Sequence, residues 1–321
     1  MREYIISDNE AGQRFDKYLA KLFKNAPSGL IFKQLRGKNI TLNKAKAKGN
    51  EKLKVKDVVQ VFMADDTIDK FTGNRVNDIK VYENMPFNVV YEDGNIIIAD
   101  KCAGVLSQKA KPSDISMNEL LLSYLIKSNR SGNISMAFTP AFCNRLDRNT
   151  SGLMIAGISL AGSQKMSELI KTREIEKYYL CAVHGTPKPS SGTLTGYLFK
   201  DAKKNQVYVR HQPEPGAKLS QTKYQVLQSR DGLSLVECEL LTGRTHQIRA
   251  QMADAGWPLL GDGKYGSERR NKKYGETDGQ ALYSYRLIFK FTTDAGILNY
   301  LNEKEFSVPE TDIDFVKKYF T

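Results

Sequence analysis

The chain has 321 residues, 40% apolar and 26% charged, with a formal net charge of +12 and a pI near 9.3. That length is enough for two domains, one of them with a large core. The Lys/Arg excess favours a polyanionic partner, and no apolar run approaches membrane-spanning length. The charged start, Met1-Arg-Glu-Tyr, has no apolar signal core after it, so a cytoplasmic, soluble protein is expected. The four cysteines (Cys102, Cys143, Cys181 and Cys238) show no C-x-x-C spacing and read as reduced, buried small hydrophobes. His184, His211 and His246 lie far apart and form no ligand pair, so no metal site is expected.

Charge is concentrated at the start. Residues 1–63 hold 14 Lys/Arg against 6 Asp/Glu, a net +8 of the chain's +12. Phe15, Leu19, Leu22 and Phe23 follow helical spacing, which predicts an amphipathic helix over 12–24 with Arg14, Lys17, Lys21 and Lys24 on its other face. Pro27-Ser28-Gly29 breaks it. A second helical pattern has Leu30, Ile31 and Leu35 apolar, with Lys33 and Arg36 basic. Arg36-Gly37-Lys38-Asn39 is a turn before a short strand at 40–42. Leu53, Val55, Val59 and Val61 read as strand pieces around a Lys56-Asp57 turn. This basic module ends near residue 63. The polar stretch 64–82, with Asp65-Asp66 and Gly73-Asn74, reads as a linker to a body spanning 83–321.

In the body, apolar runs at 89–91 and 96–98 around a polar turn predict a hairpin. Residues 117–126 and 160–175 read as helices, and 152–158 and 178–183 as strands. The Pro-, Gly- and Lys-rich stretch 186–220 shows few clear elements. Residues 224–227 and 233–241 alternate as strands. Residues 245–255 are helical, with Ile248 and Met252 on one apolar side and Trp257-Pro258 as the stop. Strands and helices mix without a regular βα repeat. The expected class is therefore α+β, with a mostly antiparallel or mixed central sheet flanked by helices, and not a doubly wound fold.

Chemistry concentrates in a few segments. In 144–153, Asp147 stands between Arg145 and Arg148, which favour its ionised form even where water is excluded. Such an anion can be a nucleophile or a base; the plain alternative is a surface cluster of ordinary salt bridges. In 241–252, Gly243 permits a sharp turn. Arg244, Thr245, His246 and Gln247 then crowd polar donors at a helix start, where free N–H groups favour anions. Arg249 follows on that helix, able to pair with a carboxylate delivered from elsewhere, or else simply solvated. Strand alternation in 176–183 puts Tyr179, Cys181 and Val183 on one side, and Tyr178, Leu180 and Ala182 on the other. A tyrosine there can stack on a planar base, act through its hydroxyl, or fill the core. Residues 100–105 are a tight polar turn. Residues 259–265 are glycine-rich without P-loop spacing.

Taken together, these segments resemble the ribosomal large-subunit pseudouridine synthases, the RluA/RluC/RluD group. The pattern H-R-L-D-x-x-T-S-G-L resembles 144–153, and K-x-Y-x-A-x-V resembles 177–183. T-G-R-T/S-H-Q-I/L-R resembles 242–249, G-x-P-L/I-x-G-D resembles 256–262, and a K-P-x-G turn resembles 101–104. Residues 11–19, 35–38 and 42–43 resemble an S4-type RNA-binding domain. The resemblance implies that uridine in RNA, most often 23S rRNA or a large-subunit precursor, is isomerised without cofactor or metal. The sequence leaves the oligomeric state open, with a monomer as the default. Asp147 matches the catalytic aspartate, Tyr179 the active-site tyrosine and Arg249 the arginine that pairs with the aspartate. Arg145 matches a residue that opens the RNA and fills the space of the flipped base. Arg14, Lys17, Lys33, Arg36 and Lys38 of the basic module, with Arg244 of the body, are the further RNA-contact candidates. Asn144, Asn149 and Cys102 replace the usual histidine, aspartate and proline. Two rivals are an RNA-binding protein with a degenerate catalytic domain and a hydrolase using Asp147 as nucleophile. The intact Asp147, Tyr179 and Arg249 set weighs against the first, and the lack of a matched acid or base partner against the second.

Overall fold

Two sheets organise the chain, the smaller with one apolar core and the larger with separate cores on its two faces. The structure is a computed structural model that describes residues 1–321 except 73–78, 131, 133, 135–137, 202 and 276–278. The N-terminal unit comprises β1 (Arg2–Ile5), α1 (Phe15–Leu22), α2 (Ser28–Arg36), β2 (Ile40–Leu42), β3 (Ala45–Lys46), β4 (Val58–Val61) and α3 (Asp65–Thr72). Its strands lie in the order β1-β4-β2-β3. Phe15, Leu19 and Leu22 of α1 meet Ile31, Leu35, Val59 and Val61 in one core, so the spaced apolar residues form the inner face of each helix. α1 is shorter than the predicted 12–24 because Arg14 is extended.

Two elements here escaped the sequence. β1 is a half-buried edge strand whose Arg and Glu hide its alternation. α3 lies inside the stretch read as a linker. Its Ile68 is fully buried in the N-terminal core, and Arg2 ties it to β1 through Asp65 and Asp69. Ile68 and Phe71 alone give too faint a helical period to be seen. Gly73 and Asn74, also read as linker, lie outside the described residues.

The larger unit contains β5 (Phe87–Glu92), β6 (Ile96–Lys101), α4 (Met117–Lys127), β7 (Ala141–Phe142), β8 (Ser151–Gly157), α5 (Leu160–Thr172), β9 (Ile175–His184), β10 (Ser191–Asp201), β11 (Gln206–Arg210), β12 (Lys218–Arg230) and β13 (Leu233–Leu240). There follow α6 (Gln247–Asp254), α7 (Glu268–Lys273), β14 (Leu282–Phe289), β15 (Glu305–Ser307) and α8 (Asp314–Tyr319). One mixed sheet runs β11-β10-β12-β13-β9-β14-β8-β6-β5, with β15 on β14 and β7 on β8. Its pairs are antiparallel except β8 with β14. The α+β expectation with a mostly antiparallel, mixed sheet therefore matches this architecture. β10, β11 and the start of β12 occupy the stretch 186–220. Much of β10 is exposed and built from Ser, Thr, Gly and Lys, so no hydrophobic alternation announced it.

The parallel pair positions the site. β8 follows the Asp147 loop, β9 carries Tyr179, and β14 lies between them. Tyr179 is opposite Ser284, which is opposite Gly152. Gly152 has φ +112, and a Cβ there would stand 2.3 Å from the Ser284 carbonyl oxygen, so only glycine allows this close approach. The two faces of β9 divide as its alternation predicts. Tyr179, Cys181 and Val183 enter one core, and Leu180 and Ala182 another. Cys181 and Cys238 are buried, but Cys143 is only half-buried and Cys102 is exposed, which corrects the reading of all four as core residues. Cys102 sits at the loop start after β6, where its N–H donates to the Pro86 carbonyl at 3.0 Å, a bond that a proline could not make. Among the described residues no helix is long and apolar enough to cross a membrane.

Candidate active site

Asp147 rides on the loop between β7 and β8, and the peptide groups on both sides of it are pinned. Ser107 Oγ donates to the Leu146 carbonyl at 2.7 Å and accepts the Leu146 N–H at 3.0 Å. Lys101, a fully buried side chain, sends its Nζ to the carbonyls of Cys102 (2.9 Å), Val105 (3.1 Å) and Arg148 (3.0 Å). The Gly104 N–H adds a further bond to the Arg148 carbonyl at 2.9 Å. Burial pushes the Lys101 ammonium down to about 8, while Cys102 and Asp147 pull the other way. Asn144 accepts the Ile155 N–H through Oδ1 at 2.8 Å, so this departure from histidine still closes the loop onto β8.

The carboxylate's partner comes from α6. Arg249 Nη1 lies 3.0 Å from Asp147 Oδ2. Its other edge grips Asp262 through Nε–Oδ2 at 2.7 Å and Nη2–Oδ1 at 2.9 Å. This fork fixes the plane of the guanidinium. Asp262 is itself buried and also accepts the N–H groups of Lys264 (2.9 Å) and Tyr265 (3.1 Å). Burial opposes the charge on Arg249, but its bonds to Asp262 and Asp147 outweigh that and raise its pKa. Burial likewise pushes Asp262 up, yet the arginine holds it below the usual carboxylate range. The sequence neighbours behave differently. Arg145 and Arg148 are exposed, and among the described residues neither forms an ion pair with Asp147. Arg148 Nε instead donates to the Gly104 carbonyl at 3.0 Å.

His246 caps α6 in the left-handed region, with φ +52. Its Nε2 is 3.8 Å from Asp147 Oδ2, and its Nδ1 is 2.8 Å from the Tyr265 hydroxyl. That hydroxyl also accepts the Val207 N–H at 2.9 Å; when it donates its own proton to Nδ1, the imidazole proton sits on Nε2, facing Asp147. Burial lowers the His246 pKa, against the pull of Asp147. The ring of Tyr265 also lies 5.3 Å from the Arg249 guanidinium. One turn, 262–265, thus holds both groups that face Asp147.

These parts enclose a cavity of about 350 Å³ lined by Asn144, Arg145, Asp147, Thr150, Lys177, Tyr179, Arg244, His246 and Arg249, with Leu240 and Leu282 as apolar floor. That is within the range of small-ligand sites. Tyr179 is buried, and burial pushes its hydroxyl up to about 12, so it stays neutral. Gln247, expected as a donor at the helix start, spends its amide on the Gln221 carbonyl and Thr222, while its oxygen accepts from Thr242 and the Arg244 N–H. Among the described residues no cluster of His, Cys, Asp and Glu could hold a metal ion.

The fold therefore brings Asp147, Tyr179, Arg249, Arg145 and Arg244 to one cavity. Arg14, Lys17, Lys33, Arg36 and Lys38 are not among its lining and remain exposed on the N-terminal unit, Arg14 paired to Asp16 at 2.9 Å. Sequence reasoning missed the work of Lys101, Asp262 and Tyr265. Each lay inside a segment already singled out, but only folding supplies its partners.

Residues 95–254 match the family of RNA pseudouridylate synthases. An uncharacterised RNA pseudouridine synthase of Mycoplasma genitalium is 31% identical over 294 residues, covering 89% of this chain and 88% of the relative. Ribosomal large subunit pseudouridine synthase C of Vibrio parahaemolyticus is 26% identical over 289 residues, covering 89% and 87%. The solved structure of human RNA pseudouridylate synthase domain containing 1 shares the fold, with a TM-score of 0.56 at 20% identity over 75% of this chain and 91% of that one. Similarity of this extent, spanning the loop, strand and helix that build the cavity, makes the chain a member of the RluA family of RNA pseudouridine synthases, and so an isomerase.

Proposed function

We propose that the protein isomerises uridine to pseudouridine in large-subunit ribosomal RNA, with Asp147 as the reacting carboxylate, Tyr179 against the base and Arg249 holding Asp147. The observation that carries this is the arginine bridge. Arg249, fixed edge-on by buried Asp262, meets Asp147 at 3.0 Å beside Tyr179 in one cavity. Because Asp262 takes up part of the guanidinium charge, Asp147 is oriented without being fully neutralised by it.

A uridine in folded RNA must first be unstacked and flipped, at a cost of a few kcal/mol. Exposed Arg145, at the cavity, fills the gap the base leaves. Tyr179 supports the uracil ring. Asp147 starts cleavage of the bond between N1 and the sugar. The uracil turns, carbon 5 bonds to the sugar, the carbon 5 proton leaves, and N1, freed from the sugar, takes up a proton. The product has the same atoms as the substrate, so the chemistry needs no redox partner. Arg244, exposed at the same cavity, meets the RNA backbone.

The large-subunit target is supported by the relatives named for that activity. The N-terminal unit is read as an S4-type RNA-binding domain that attracts RNA through Arg14, Lys17, Lys33, Arg36 and Lys38. The enzyme works as a monomer in the cytoplasm. An unmodified 23S rRNA transcript incubated with the protein and digested to nucleosides provides the test. Pseudouridine should appear with wild type and be absent with Asp147→Ala. No pseudouridine with wild type, or equal amounts with both, would refute the reading.

A further inference from the structure

We propose that Lys177 forms a subsite for a phosphodiester group of the bound RNA. The proposal rests on the function above and adds a contact for the nucleotide's backbone to those for its base.

Lys177 and Tyr179 are two residues apart on β9, share a face, and both line the cavity. An ammonium has three donors. The bond recorded for Lys177 Nζ goes to the Ile175 carbonyl at 2.9 Å, and among the described residues it makes no ion pair. Among the described residues its surroundings offer no anion in compensation. Cys143, from the start of the loop, is kept protonated by burial. Arg173, at the end of α5, is a second cation acting on it. Glu176 turns to Lys290 and the Tyr178 hydroxyl, and Leu287 lies opposite on β14. Asp147 is committed to Arg249.

The other buried cations of the site are satisfied. Lys101 has three carbonyls and Arg249 has two carboxylates. Lys177 is the half-buried cation left without compensation, and such a charge costs free energy until an anion arrives. RNA supplies one anion per nucleotide, the phosphodiester. The uracil carbonyls are neutral and would leave the charge standing. Burial, then Arg173, lowers the Lys177 pKa to about 8, so its charge is lost within an accessible alkaline range. A phosphate bound to it favours the protonated form. Binding should therefore be full below that pH and weaken above it.

The test is steady-state tritium release from a carbon-5-tritiated, unmodified 23S rRNA transcript, measured across pH and salt. For wild type, KM should rise as pH passes about 8, and Lys177→Arg should abolish that rise because a guanidinium stays charged. Lys177→Met at neutral pH should raise KM about tenfold with kcat little changed. It should also flatten the slope of log KM against log salt by about 0.7, the share of one single-strand phosphate contact. An unchanged KM and salt slope in Lys177→Met would overturn the subsite. So would a kcat loss alone, or an alkaline rise that persists in Lys177→Arg, since either marks a structural or base-contacting side chain. Wild type that releases no tritium would overturn the proposed function along with the subsite.

Discussion

The N-terminal unit leaves Lys17, Lys33, Arg36 and Lys38 in solvent, whereas the larger unit buries Lys101 and Arg249 and gives each a fixed set of oxygen partners. The same residue types are placed under opposite physical regimes. A solvated charge acts at range, within a Debye length of about 8 Å at physiological salt, and loses reach as salt rises. A buried charge acts at contact, and its desolvation must be offset by partners in good geometry. Under the proposed function, the solvated charges of one unit attract a polyanion, while the buried arginine of the other meets one carboxylate. Changes in the first should therefore move affinity and salt dependence, and changes in the second should move rate and stability.

The largest effect is expected at Asp147. Asp147→Ala should lower single-turnover tritium release by about four orders of magnitude, as for loss of a reacting group, while filter binding of the RNA changes little. Next comes the arginine bridge. Arg249→Met should reduce kcat by about 10²- to 10³-fold, comparable to losing one preorganised charge partner. Asp262→Asn should lose less, because Arg249 keeps Asp147 but not its bidentate anchor. If either left kcat untouched, the contrast between fixed and solvated charge would lose its main support.

A third effect falls on stability. Lys101→Met removes this donor from the Cys102 and Val105 carbonyls and leaves the Arg148 carbonyl only the Gly104 N–H, and thermal or urea unfolding should report a loss of about 3 kcal/mol. A variant as stable as wild type would show that Lys101 does not hold the loop. A fourth concerns pH. His246 has its pKa lowered by burial, so its neutral form persists below the ordinary value of 6.5. As pH falls through the lowered value, an imidazolium forms 3.8 Å from Asp147, adds a second cation there, and should depress kcat. His246→Gln should move that acid limb to lower pH, and an unmoved limb would assign it elsewhere. The smallest effects belong to the N-terminal unit. Single Lys17→Ala, Lys33→Ala or Lys38→Ala changes should weaken RNA binding by roughly threefold each and flatten the salt slope by about 0.7 each, with kcat unchanged.

How much of this was legible follows the same division. Solvated charges and apolar spacing are local. The inner faces of α1 and α2, the two faces of β9 and the buried strand β8 could be read directly from residue order. Asp147 could be singled out as a candidate too, with an ordinary salt-bridge cluster as the local alternative, but its partner could not be chosen locally. Arg145 and Arg148 stand beside it in the chain, yet the contact belongs to Arg249, 102 residues away. Lys101 looked like part of a polar turn because two of its acceptors are nearby while the third, Arg148, is 47 residues on. Asp262 looked like a loop residue because its anchor role exists only once α6 is folded against it. β10 and α3 stayed hidden for a different reason: each buries so little apolar surface that neither leaves a period.

The central claim is that a carboxylate pinned by its own loop and faced by a clamped arginine does the chemistry. Single-turnover release of tritium from carbon-5-labelled 23S rRNA, with the RNA fully bound to wild type or to Asp147→Ala, tests it most directly. The account predicts rapid release by wild type and none above background by the variant at equal occupancy. Equal release by both would contradict it.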